Sequence, residues 1–321
     1  MKRRFLDFVE LAPRSQKPRA TGLSTFGDRG YPLEWIRGML DAYGDYIDIV
    51  KFTPTCLLVP WGDIEKKVQL YRSHDVGVGT DDPIFAIAYF QGKAEPLLRT
   101  LREVGFTHVQ VDTRHVEPQG ADAAKRADED EQRYLALAKE LGLKVTGEIG
   151  KKWPKGDRMR AGKGALNVEA SVSDIRQLLA RGCEHVYLES RVIRDAIGDY
   201  GEREEGTRQI SEIVAAVGIE NLFIEISGQI PFDTRQCHRF WAVRNFGPEV
   251  NMGGGGSIEE ARYVEAIRRG ITFVGGPGRT SSKLWIKSLA NHGGKAAREW
   301  WKEEYEIDPS FTSAKTNSLP E

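Results

Sequence analysis

Short apolar runs rich in β-branched residues alternate with longer amphipathic stretches from about residue 21 to residue 270. The runs fall at 21–27, 47–53, 76–80, 108–112, 144–150, 185–190, 222–227 and 250–253. Helical periodicity follows each one, at 32–46, 61–73, 83–104, 123–141, 171–180, behind the sixth and seventh runs, and at 258–269. Eight strand–helix units in about 250 residues give the period and length of a (β/α)8 TIM barrel, the fold class we expect. A doubly wound sheet rarely needs eight repeats. Punctuation supports the reading. Gly142, Gly182, Gly218 and Gly270 stand just past helical runs as C′ glycines, and Ser171 and Ser257 stand where N-caps are expected. Asp174 and Glu260, three residues on, would complete capping boxes.

The flanks are different. Residues 1–20 are basic and contain proline, which suggests an arm packed across a barrel of residues 21–280. Residues 281–306 carry Trp285, Trp300, Trp301 and Tyr305 and read as an appended helix, a lid or an oligomer contact. A flexible tail would complete residues 281–321. A homo-oligomer is therefore expected.

Charge excludes several functions. Lys plus Arg number 46 against 47 Asp plus Glu, so no global basic field recruits nucleic acid or an acidic membrane surface. No apolar run approaches the roughly 20 residues that span a bilayer. Asp7 and Glu10 interrupt the start of the chain, so no signal peptide is read there. Cys56, Cys183 and Cys237 are too few and too scattered for a disulfide framework or a zinc site. A cytoplasmic protein acting on a small anionic or polar substrate is the expectation.

A barrel gathers its chemistry at the carboxyl ends of its strands. In order, those ends carry Asp28 and Arg29, Lys51, Asp81 and Asp82, and Asp112. Glu148 with Lys151 and Lys152, then Glu189 with Arg191, Glu225, and the run Gly253, Gly254, Gly255, Gly256 complete the set. Charges converging on one mouth need partners to offset their desolvation. The six histidines form no ligand-like cluster, and no Ser-His-Asp arrangement is visible, so acyl transfer and zinc hydrolysis are poorly supported. Carboxylates of this kind suit Mg²⁺, and the lysines and arginines suit carboxylate or oxyanion substrates. A lysine in a crowded pocket can act as a general acid or base, or form a Schiff base. The glycine run before the last helix could cradle an anion or serve as a hinge, and Gly275–Arg279 could add to it.

At these residues the chain resembles the phosphosulfolactate synthase family. The segments that carry the likeness are GDYIDIVKF (44–52), FQGK (90–93), EIGKK (148–152), VYLESR (186–191) and RNFGPEVNMG (244–253). The resemblance implies a (β/α)8 barrel and Mg²⁺-dependent addition of sulfite to phosphoenolpyruvate. By position it implies that Lys51, Glu148, Lys151, Glu189, Arg191 and Glu225 line the site. Glu148, Glu189 and Glu225 would be metal-side carboxylates, Lys151 the proton carrier, and Lys51 and Arg191 the holders of anionic groups. Asp28, Arg29, Asp81, Asp82, Lys152, Gly253, Gly254 and Gly255 would contact substrate. Where the family usually has a Gly-Gly-Thr turn after the third strand, this chain has Asp81, Asp82 and Pro83. Two carboxylates there would repel phosphate or sulfite unless a metal intervenes. The alternatives are therefore enolate chemistry on a different, non-phosphorylated substrate, or a non-enzymatic stress-related barrel like some members of the family.

Overall fold

The computed structural model describes residues 13–113, 120–151, 157–162, 164–254 and 256–271, together with residues 5, 8 and 11. In chain order the elements are β1 (Thr25–Asp28), α1 (Leu33–Tyr43), β2 (Ile49–Phe52), α2 (Trp61–Ser73), β3 (Gly77–Thr80), α3 (Asp82–Phe90), α4 (Ala94–Val104) and β4 (His108–Gln110). Then come α5 (Ala121–Glu140), β5 (Lys144–Ile149), β6 (Arg160–Gly162), β7 (Ala165–Leu166), α6 (Val168–Ala180), β8 (His185–Leu188) and α7 (Ser190–Ile197). The last are α8 (Glu204–Val217), β9 (Leu222–Glu225), α9 (Phe232–Phe246), β10 (Met252–Gly253) and α10 (Ala261–Arg268).

Eight of these strands build a parallel barrel. They form two ladders, β1-β2-β3 and β4-β5-β8-β9-β10. Two seams join the ladders. At one, Ser24 bridges Met252 in parallel, and the Met252 N–H donates to Leu23 O at 2.9 Å. At the other, the Thr107 N–H donates to Val78 O at 2.8 Å, and Thr107 Oγ1 accepts from the Val78 N–H at 2.8 Å. A side-chain oxygen thus completes the pairing where a regular ladder is missing.

Strand alternation sorts the side chains. Phe26, Val50, Phe52, Val78, Val109, Val145, Val186, Leu188, Leu222 and Ile224 face the helices and form the main core. The opposite face of the strands carries Ile49 then Lys51, His108 then Gln110, Thr146 then Glu148, His185 then Tyr187, and Phe223 then Glu225. Leu23, Ile49, Tyr187 and Phe223 make a separate small apolar cluster. Tyr187 stacks on Phe223 at 4.7 Å between ring centroids. Polar groups rise from this plug toward the carboxyl ends.

Several local expectations are corrected. The helix expected at 83–104 is two helices, α3 and α4, parted at Gln91–Lys93, where Gly92 has φ of +69°. The loop after β5 contains the antiparallel hairpin β6–β7. Asn167, not Ser171, caps α6: its side chain accepts from the Ala170 N–H at 3.1 Å, while Ser171 Oγ donates back to Asn167 O at 2.7 Å. Ser257 makes no side-chain cap, and Glu260 instead pairs with Arg235 and Arg239 at 2.9 and 2.8 Å. The four C′ glycines all have positive φ, as expected. Of the amino-terminal segment, Arg14 pairs with Glu249 and Glu265, and Arg19 with Asp48. The expected helix at 281–306 and the tail lie outside the described residues.

Candidate active site

Lys51 is carried inward by β2 and is 9% exposed. Its Nζ sits 3.5 Å from the centroid of the Tyr187 ring and donates to Gln110 Oε1 at 2.6 Å. Gln110 Nε2 in turn donates to Glu148 Oε2 at 2.6 Å. Burial alone pulls the Lys51 pKa down, but Tyr187 and the carboxylates of Asp81, Glu225 and Glu148 outweigh it. The net shift is upward, so the ammonium stays charged.

Glu148, Glu189 and Glu225 meet at the ends of β5, β8 and β9. Among the described residues they form a group of three metal-capable side chains, with one oxygen of each within 4.8 Å of the others. Glu189 is also the N-cap of α7: its Oε1 accepts from the Arg191 N–H at 3.0 Å and from Ser190 Oγ at 3.1 Å. Its Oε2 is buried and has no hydrogen-bond partner among the described residues. Glu225 Oε2 accepts from the Ser190 N–H at 2.9 Å. Burial, then the neighbouring Glu189 charge, push the Glu225 carboxyl up to about 8, against the pull of Lys51.

These residues fit a divalent cation. An unpartnered buried carboxylate oxygen is costly unless something positive meets it. Hard oxygen donors converging at this spacing are the Mg²⁺ chemistry of carboxylate sites. Protonation of Glu225 is the alternative way of relieving the crowding.

The other expected site residues divide. Asp81 stands before α3, with its N–H donating to Phe52 O at 3.0 Å, and its charge acts on both Lys51 and Glu225. It belongs with the cluster. Asp82 is buried in the first turn of α3, where the helix dipole favours a carboxylate. Asp28 is fully buried in a network of its own, accepting from the Gly30 and Tyr31 N–H groups, Lys67 Nζ and Tyr71 OH at 2.8 to 3.3 Å. Arg29 and Arg191 are exposed.

Lys151 is half-buried, and its backbone is clamped. Its N–H donates to Asp157 Oδ2 at 3.1 Å, and its carbonyl accepts from Arg160 Nη2 at 3.2 Å. Arg160 and Asp157 pair at 2.9 Å, and Arg160 also pairs with Asp195 on α7. Gly253 leaves room for the ring beneath Lys51, because a Cβ there would lie 2.5 Å from Tyr187 Cε1. At Gly254, with φ of +126°, a Cβ would lie 2.1 Å from Ile226 O. Close packing thus accounts for both glycines. Lys152, Gly255 and the 275–279 segment lie outside the described residues.

Sequence reasoning missed Gln110 and Tyr187. Both stand on the inward face of their strands by simple alternation, but neither carries the charge that marks the other strand ends.

Residues 12–273 match the family model described as (2R)-phospho-3-sulfolactate synthase (ComA). The chain is 29% identical over 266 residues to the phosphosulfolactate synthase of Methanothermobacter thermautotrophicus, covering 81% of this chain and 93% of that protein. It is 25% identical over 256 residues to that of Methanocaldococcus jannaschii, covering 78% and 92%. A shorter match to the Bacillus subtilis phosphosulfolactate synthase gives 29% identity over 137 residues, 42% of this chain and 53% of that one. With most of its length matched, barrel and all, this chain belongs to the phosphosulfolactate synthase family.

Proposed function

We propose that the protein is a carbon–sulfur bond-forming lyase of the type its relatives are named for. In this reading it adds sulfite, or another nucleophile, to phosphoenolpyruvate or a related enol acid, with Mg²⁺ bound. The observation that carries the reading is the orphaned Glu189 Oε2 within the carboxylate trio, set beside the charged, buried Lys51. Glu148, Glu189 and Glu225 would hold the ion, which when bound supplies positive charge to the carboxylate side of the substrate. Lys51 holds an anionic group at fixed depth, because Gln110 and the Tyr187 ring fix its ammonium. Arg191 and Arg29, exposed at the mouth, attract anions. The nucleophile bonds to the methylene end of the double bond, and a proton arrives at the carbon beside the carboxylate. Lys151, held by its backbone, is the donor we assign to that proton.

Asp81 favours one variation. Its carboxylate beside Lys51 and Glu225 opposes a second anion and suits an acceptor bearing an amine or hydroxyl. Phosphorus NMR on the protein with phosphoenolpyruvate and sulfite, with Mg²⁺ or with EDTA, distinguishes the two. Phosphosulfolactate formed only with Mg²⁺ supports the first reading. Unchanged phosphoenolpyruvate from a protein that binds Mg²⁺ overturns that substrate pair and directs the search to amine and hydroxyl acceptors.

A further inference from the structure

We infer that Gln110 is a positioning residue that holds the buried cation and the metal-side carboxylates apart while fixing both. This rests on the reading of the trio as a Mg²⁺ site. The juxtaposition is direct. Gln110 is 1% exposed, its oxygen accepts from Lys51 Nζ at 2.6 Å, and its amide nitrogen donates to Glu148 Oε2 at 2.6 Å. The charges on either side dictate which end of the amide faces which neighbour, since an ammonium only donates and a carboxylate only accepts. Both contacts are charge-assisted, the strong class of hydrogen bond.

If Lys51 reached Glu148 directly, the ion pair would tie a metal-side carboxylate to the buried ammonium. A neutral amide between them satisfies one donor of Lys51 and one oxygen of Glu148. The Lys51 ammonium meanwhile keeps its place over the Tyr187 ring, and Glu148 keeps its place in the trio. Metal-site carboxylates are commonly oriented by such outer hydrogen bonds, and losing one costs 10- to 100-fold in affinity. Gln110 is thus a specificity element too: it sets the distance between where a metal-bound carboxylate and a second anionic group of one substrate would sit.

Gln110→Met keeps the volume and removes both contacts; Gln110→Asn keeps the amide but is one methylene too short to span. Calorimetric titration with MgCl₂ should show the dissociation constant rising about tenfold in each variant. Double-mutant cycles in metal-free urea unfolding should show coupling of Gln110→Met to both Lys51→Met and Glu148→Gln. A residue that merely packs would lower the melting temperature, leave Mg²⁺ affinity within about twofold and show no coupling. That result overturns the inference. If the unsubstituted protein takes up no Mg²⁺, the metal reading fails instead, and the unfolding cycles alone decide whether the amide bridges Lys51 and Glu148.

Discussion

Glu189 illustrates how one residue can serve two structures at once. Its Oε1 caps α7, a local task that any side chain of this length and acceptor type performs. Its Oε2 has no hydrogen-bond partner among the described residues. Glu189→Gln separates the tasks, since the amide oxygen can still cap while the buried charge is gone. In metal-free protein the melting temperature should hold or rise, because an uncompensated charge has been removed. The stabilisation by Mg²⁺ should collapse: at a hundred times its dissociation constant a ligand adds about 2.7 kcal/mol, and the variant should keep under about 1 kcal/mol of that. Thermal melts with and without Mg²⁺ check both. Lys51→Met, at the other pole of the site, should abolish turnover with little change in Mg²⁺ affinity, measured by assay and calorimetry on the same preparation.

Among the elements, the β5–α6 connection departs most from expectation. No strand is read in the sequence between the run at 144–150 and the helix at 171–180; in the structure a hairpin, β6–β7, brings Arg160 back to lock Lys151 through Asp157 and to reach Asp195 on α7. Arg160→Ala breaks a largely buried ion pair and frees the Lys151 carbonyl. We expect a loss of about 2 kcal/mol in urea unfolding and a fall in kcat larger than any change in KM. An effect on KM alone would place Lys151 outside the chemistry. The seam between β10 and β1 rests on Arg268, which is buried and donates to Pro248 O, Val250 O, Leu23 O and Ser24 Oγ. Arg268→Met strands these acceptors and should cost about 3 kcal/mol or more, read from chemical denaturation, with no specific effect on Mg²⁺ binding. Neither element was legible beforehand. A three-residue strand holding Arg160 has too little periodicity to read, and Arg268 looks like any basic residue ending an amphipathic helix.

Across the whole molecule, the two ends of the barrel carry opposite kinds of chemistry. At the amino ends of the strands, His108 and His185 both face Glu184, at 3.8 and 3.9 Å, with Lys144 paired to the same carboxylate. Burial lowers both imidazoles, His108 to about 4, with Glu184 opposing and Lys144, His185 and Lys51 adding to the effect on His108. The unfolded chain, titrating near 6.5, binds more protons than the folded one between these values, so stability falls as pH drops through that window. A loss on the order of 2 kcal/mol between pH 7 and pH 4.5 is expected, and His108→Gln should flatten it in urea midpoints taken at both values. Among the described residues no helix is long and apolar enough to cross a membrane.

The sequence by itself determined the barrel, because eight strand–helix repeats are more than a doubly wound sheet usually needs and match the count at which a parallel sheet closes on itself. It also determined that Glu148, Glu189 and Glu225 share a mouth, since strand ends converge once the barrel is granted. Only the tertiary structure decided how those charges are used. Lys51 lies over a ring and not in solvent, Asp28 is drawn into its own network, and Gln110 stands between cation and carboxylate. Such choices depend on distances across the barrel between strands far apart in the chain, and no local pattern encodes them.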